Sequence, residues 1–258
     1  MTARPIENRY IAAVRFVDPC TGLTISDGLE VVEEGGCRWF PNRSGLWVLA
    51  EEPRLTALTE SFLAPPASTP AARAFTLDVT VRSRTGAWQS RRFSLAIPRP
   101  PKSRTDDLFK PLVVPMPPGP LAPTRPGWGM ARVRVRLAPN ATFPEGTPLE
   151  GVLVRSGAPG ISSINSLTSA LGEALLPVPG IPLFRAGDGS AAVLEADTPL
   201  RIQIVYERAA TDLATGRRLR LPDPDDLWNR RNALVSPSQR LPLRVGEQKS
   251  ILFDLPRS

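Results

Sequence analysis

The groups in this chain that could do chemistry reduce to three adjacent carboxylate pairs, Glu33-Glu34, Glu51-Glu52 and Asp225-Asp226, and two cysteines, Cys20 and Cys37. Paired carboxylates whose environments push their pKa values apart can share acid and base duties. All three pairs, however, sit in polar, loop-like stretches, where solvated surface charge is the plainer reading. Histidine is absent, which removes the usual general base near neutral pH and the commonest metal ligand. Ser-His-Asp and Cys-His arrangements and histidine zinc sites are therefore impossible. Two cysteines are too few for a tetrathiolate, and no glycine-rich phosphate loop is present. The expectation is a non-enzymatic protein that needs no cofactor and no metal.

The elements that would position these groups are strands. Proline makes up 30 of 258 residues, about 12% against a usual level of roughly 5%. Helix interiors reject proline, which lacks an N–H and clashes with the preceding turn. So much of it argues for short strands and stiff connections. No apolar run approaches the ~18 residues a membrane helix needs, and the first residues, Met1 to Pro5, lead into a strand without a signal-peptide core. The expected location is the cytoplasm, as part of a particle that is later released or alone. Two cysteines fit a reducing compartment. If strands 10–17 and 28–33 pair antiparallel, Cys20 and Cys37 fall at opposite ends of the pair, so two free thiols are expected.

Two stretches share a layout. Val14-Arg15-Phe16-Val17 leads through a turn at Pro19–Gly22 to Gly28-Leu29-Glu30-Val31-Val32. Val133-Arg134-Val135-Arg136-Leu137 leads through Pro139–Thr142 to Pro148-Leu149-Glu150-Gly151-Val152-Leu153-Val154. A glycine-led strand follows in each, at Ser44–Leu49 and Leu171–Leu176. Further on, Phe75–Val81 turns at Gly86 and returns as Arg92–Ile97, while Leu200–Tyr206 turns near Gly216 and returns as Arg218–Leu221. Alternating strands of this length separated by Gly, Pro and Thr turns are what a sandwich with one dry face per sheet requires. Their repetition predicts a duplicated domain.

Leu149-Glu150-Gly151-Val152 and Gly172-Glu173-Ala174-Leu175-Leu176, after a strand and a Pro- and Thr-containing turn, resemble carboxypeptidase-regulatory-like domains. The first unit departs from that pattern, with Val31 where the glycine belongs. The resemblance implies transthyretin-like, seven-stranded immunoglobulin-type sandwiches, with no catalytic residues and a structural or adhesive role. Such domains also occur as accessory parts of phage tails and contractile injection machines. The fold expected is all-β: sandwich domain 1 over 1–97, a proline-rich extended linker over 98–128, and sandwich domain 2 over 129–258, with one short C-terminal helix and a strand extension.

The net charge of +7 raises nucleic acid as a partner. Counted by segment, residues 1–97 hold 11 basic and 10 acidic groups and residues 129–210 hold 7 and 7, whereas 98–128 hold 5 and 2 and 211–258 hold 9 and 6. The excess lies in the linker and tail, so neither sandwich offers the broad basic surface that tracks a phosphate backbone. Arg132, Arg134 and Arg136 alternate with Val133 and Val135 as the solvent side of a half-buried strand would.

The linker carries ten prolines between Pro98 and Pro126 and, at its centre, Leu108, Phe109, Leu112, Val113, Val114 and Met116. An extended, pre-stiffened apolar segment docks at low ordering cost, either on another chain or on its own sandwich. Because it lies outside the strand repeats, its side chains are expected to be replaceable without unfolding either sandwich. In the tail, Asp223-Pro224-Asp225-Asp226 opens a helix with a cap, a first-turn proline and acid at the positive end of the dipole. Leu227, Trp228, Arg231 and Leu234 recur on one side of it. The pieces 240–245 and 250–255 either complete the second sandwich or add to another subunit's sheet. Trp47 reads as core; Trp88, Trp128 and Trp228, with Arg231, read as exposed contact residues.

The functional expectation is a structural or adaptor subunit of a multiprotein particle, phage-tail-like or from a contractile injection system. Its sandwiches would be rigid bodies and its linker and tail fasteners. The partners would be other protein subunits, a further copy of the chain being compatible, with no nucleic acid and no membrane span. A free-standing module for carbohydrate or a surface ligand is the rival.

Overall fold

A computed structural model of the chain describes residues 11–33, 35–61, 74–97, 110–182, 184–185, 193–194 and 197–257. Its regular secondary structure is mostly strand, and its buried side chains gather into two large apolar clusters, each enclosed by two sheets.

The first cluster lies between a four-stranded and a three-stranded sheet. β1 (Ala12–Val17) pairs antiparallel with β4 (Trp47–Glu51), which pairs with β3 (Arg38–Pro41). Opposite lie β2 (Leu29–Val31), β5 (Phe75–Ser83) and β6 (Arg91–Ile97), in that order. Alternation sends Val14 and Phe16 from one sheet, and Val79, Val81, Phe93 and Leu95 from the other, into a shared interior. Phe16 and Phe93 meet edge to face across it, with ring centroids 6.0 Å apart. A short helix, α1 (Thr56–Ser61), follows a 3-10 turn over Pro53–Leu55. It is a helical segment beyond the single one expected.

The seventh strand corrects the reading of the linker. β7 (Leu112–Pro115) runs parallel to β1, with Val14 opposite Leu112 and Val17 opposite Pro115. Val114 and Met116 are buried in the first core. The linker's apolar centre thus docks on its own chain, as a strand, and not as a fastener lying outside the strand plan. Its prolines are tolerated because β7 is an edge strand, where a missing N–H leaves no partner unsatisfied. Beyond it, residues 117–121 run beside 86–89, with Gln89 donating to the Pro117 carbonyl and Trp88 bridged to Pro118. Leu108 and Phe109 lie outside the described residues.

The second cluster repeats the plan. β8 (Gly129–Leu137) pairs antiparallel with β12 (Glu173–Val178) and parallel with β17 (Gln248–Leu255), and also with the short β9 (Thr147–Pro148). The facing sheet orders β11 (Asn165–Leu167), β10 (Leu153–Gly157), β15 (Thr198–Val205) and β16 (Ser238–Leu243). The two-residue strands β13 (Phe184–Arg185) and β14 (Val193–Leu194) pair with each other. In both halves a first strand lies between an antiparallel fourth-position strand and a parallel closing strand. The third-position strand differs: β3 joins β4, whereas β11 joins β10 in the other sheet. Gly45 and Gly172, which lead the fourth-position strands, both have positive φ; a Cβ on Gly172 would lie 2.5 Å from the Val135 carbonyl oxygen.

One expectation about the second half changes. The return strand after Leu200–Tyr206 is β16, not Arg218–Leu221, because residues 206–237 form an excursion that carries α2 (Pro224–Asn229) and a 3-10 turn over Arg231–Ala233. The pieces near 240–245 and 250–255 do complete the second pack of sheets. Val133 and Val135 point inward, and Arg134 and Arg136 pair outward with Glu173 and Asp254.

Both cysteines are free thiols, though β1 and β2 lie in opposite sheets and not side by side as expected. The Cys37 thiol donates to Glu52 at 2.9 Å, and Cys20 packs against the second core. Burial first, then the neighbouring carboxylate, pushes each thiol up to about 12. Glu52 is thereby also a correction, a buried carboxylate rather than a surface one; hydrogen bonds from Arg54 hold it below the usual carboxylate range. Since the thiolate is the nucleophile, alkylation of native protein at pH 8 should run slower than in the unfolded chain by on the order of a hundredfold or more. Without reductant, the unfolded chain should react at both positions. Fast alkylation of the native fold would contradict this burial.

Candidate functional site

The outward face of the β11-β10-β15-β16 sheet holds the groove with the most pronounced chemistry. In antiparallel pairing, residues directly opposite share a face. Leu153 opposes Val205 and Leu167; Arg155 opposes Gln203 and Asn165; Arg201 opposes Gly157 and Arg240. The first of these rows is dry. Leu153, Leu167 and Val205 are covered by Leu227 of α2, with Trp228 and Leu234 packed against them. The helix therefore forms a wall, and the remaining rows form an open floor beside it.

The helix sits where it does because its start is pinned. Asp223 caps it by accepting from the Asp225 N–H, and Pro224 supplies a pre-set φ at the first turn. Asp223 and Asp225 also accept from Arg91 at 3.0 and 2.7 Å. The Arg91 side chain is 1% exposed and uses its other donors on the Pro115 and Arg92 carbonyls. One guanidinium thus joins β6, the end of β7 and the helix cap. Arg92 N–H to the Pro222 carbonyl and Ser166 to the Pro118 carbonyl add to the same seam. Burial raises the Asp223 carboxyl, against the pull of Arg91.

Trp228 stands half-buried with the Arg155 and Arg231 guanidiniums over its ring, at 4.1 and 4.4 Å from the centroid. Arg155 is pulled below the ordinary guanidinium value, first by burial and then by the charge of Arg231. The groove encloses about 630 Å³. Three arginines, Arg155, Arg201 and Arg240, line it together with Trp228, Gln203 and Ser163, and no carboxylate does. Gly157 keeps the floor low between Arg155 and Arg201.

The residues expected at an interface thus divide. Trp228 and Arg231 come together at this groove, with Arg231 braced on the Trp228 carbonyl. Trp88 and Trp128 meet at a smaller hollow of about 290 Å³. Trp88 itself is buried in the first core and so is corrected from an exposed contact to a core residue; Trp128 is half-buried under Arg125. Trp47, expected in the core, is half-buried against it. In the former linker, Val114 and Met116 are core, Leu112 packs partly against it, and Val113 is exposed.

Arg155, Arg201 and Arg240 escaped the sequence reading. Arg201 and Gln203 are visible as outward positions of an alternating strand. Their meeting with Arg155 and Arg240 depends on strand register, which alternation alone leaves open. Arg91 was missed because it lies one residue before the recognised strand and reads as surface. Among the described residues, no group of three or more cysteine and carboxylate side chains could hold a metal ion, and no helix is long and apolar enough to cross a membrane.

No protein-family model and no curated protein matches this chain. Among solved structures, a TIE protein of Bacillus anthracis is similar at a TM-score of 0.27 and 11% identity, over 88% of this chain and 31% of that one. The chain spans under a third of that neighbour's length, and a likeness this slight carries no argument, so the groove stands on its own chemistry.

Proposed function

We propose that the chain is a non-enzymatic structural or adaptor subunit of a multiprotein particle, phage-tail-like or from a contractile injection system, and that it grips a neighbouring subunit at the Trp228 groove. The observation that carries this reading is the groove itself. It joins a half-exposed tryptophan to arginines, the residue types that dominate the energetics of protein interfaces, and mounts them on a sheet whose other face is core. The seven strands of the first half, and the parallel closing strand that both halves share, support assigning both to the carboxypeptidase-regulatory-like, transthyretin-like type. The linker is spent on the chain's own core, which leaves the tail as the fastener.

The test is sedimentation from the native host. The tagged wild-type chain should travel with an assembly far larger than its own 28.0 kDa. A Trp228→Ala, Arg240→Glu variant that stays folded should shift to the light fractions. Wild-type chain found only as a free 28.0 kDa species would end the particle reading.

A further inference from the structure

We infer that the groove takes an acidic segment of a partner protein, its side-chain carboxylates seated on the Arg201–Arg240 pair and beside Arg155. This deepens, and rests on, the reading of the groove as a partner-binding surface.

The first argument is the company these arginines keep. Elsewhere in the same half, four exposed arginines have carboxylates, Arg134 with Glu173, Arg217 with Glu150, Arg230 with Asp226 and Glu207, and Arg244 with Asp197, whereas Arg220 is exposed without one among the described residues. Arg201 and Arg240 face each other directly across two strands, a placement that disfavours like charges. Neither has a carboxylate partner among the described residues. The free protein thus carries a repulsion that a bound anion would remove. Arg155 adds a third cation, half-buried and already opposed by Arg231.

The second argument decides the kind of anion. A guanidinium presents a planar fork that matches a carboxylate in two parallel hydrogen bonds. A uniformly charged polymer would have to continue past the patch, where α2 and the turn after it mix Asp225 and Asp226 with Arg230 and Arg231. Asp225 lies near enough to act on Arg155, and Asp226 is exposed on the same helix. The volume, about 630 Å³, suits a few residues of extended chain and falls within the ~300–1,000 Å³ of ordinary ligand sites. Gln203 and Ser163 offer neutral donors and acceptors to a peptide backbone, and Trp228 an apolar wall.

The probe is a fluorescent, end-blocked hexaglutamate, titrated by anisotropy against the full chain. It is compared with hexaglutamine, hexathymidylate and a heparin hexasaccharide. Hexaglutamate should bind, and should weaken as salt is added. Arg201→Gln with Arg240→Gln should lower its affinity at least tenfold. Arg134→Gln, whose arginine is paired elsewhere, should leave it unchanged. Gly157→Phe should block binding with no change of charge; Gly157 has no positive φ, and a Cβ there meets only Ser163 Oγ, at 3.6 Å. Hexaglutamine binding equally well, hexathymidylate or heparin binding more tightly at these residues, or no hexaglutamate binding by folded protein would each overturn the inference. A chain that sediments with its particle yet ignores hexaglutamate refutes this inference alone. One that binds hexaglutamate yet sediments free refutes the particle assignment alone.

Discussion

Replacing Met116 by alanine should destabilise the protein by about 2–5 kcal/mol, a large part of the ~5–15 kcal/mol that holds a typical domain together. Met116 is fully buried, and its N–H donates to the Val17 carbonyl at 3.0 Å. The loss combines removed apolar contact with a cavity that β1 and β6 can close only in part. Val114→Ala should add to it, because both residues line one core and the parallel ladder to β1 is short. Val113→Ala is the control: its side chain is 46% exposed on the same strand and should shift the midpoint little. Chemical denaturation followed by tryptophan fluorescence measures all three. A normal midpoint for Met116→Ala would return the segment to the role of a loose linker. In the purified wild-type chain, residues 112–118 should accordingly resist protease.

Arg91→Ala should cost about 3–5 kcal/mol, the usual result of removing one partner from a buried ion pair. The guanidinium is enclosed, and four hydrogen bonds converge on it. Its loss strands the Asp223 carboxylate, frees the Pro115 carbonyl and loosens the start of α2. Arg91→Lys keeps the charge but not the fork and should recover only part of the deficit. Combining Arg91→Met with Asp223→Asn and Asp225→Asn should recover more, because no buried charge is then unpaired and asparagine still caps a helix. A thermodynamic cycle over these variants isolates the coupling. Additive, independent effects would show that Arg91 does not act through the helix cap. Since α2 is the wall of the groove, Arg91→Ala should also weaken hexaglutamate binding, though Arg91 does not line the groove.

The strands were legible wherever polar and apolar residues alternate over a sufficient run. Val14–Val17, Phe75–Val81, Val133–Leu137 and Leu200–Tyr206 all fall in β1, β5, β8 and β15 or at their ends. What misled was proline. In Leu112–Pro115 it signalled an extended linker outside the strand plan, although the equivalent closing strand of the second half, Ser250–Leu255, was recognised as strand-like. The two occupy the same place, parallel to the first strand of their unit. The tail helix was legible from its cap, its proline and the spacing of Leu227, Trp228 and Arg231. The groove was only half legible, since its helix-borne residues are local in sequence while Arg155, Arg201 and Arg240 are united by register alone. Arg91 and Glu52 carried no local mark, because burial of a charge is decided by what packs over it.

The parallel closure of each unit has a consequence for synthesis of the chain. Val14 is made early but has no neighbour on that side until Leu112 arrives, and Val133 waits likewise for Ile251. On the ribosome, each nascent sandwich must persist with an open edge on its first strand until its last strand emerges. Long-range pairings of this kind are slow to form and leave strand edges exposed in the meantime. Translation pauses late enough for residue 116 to have left the ribosome should therefore raise the yield of folded protein more than pauses that expose the chain only as far as residue 97.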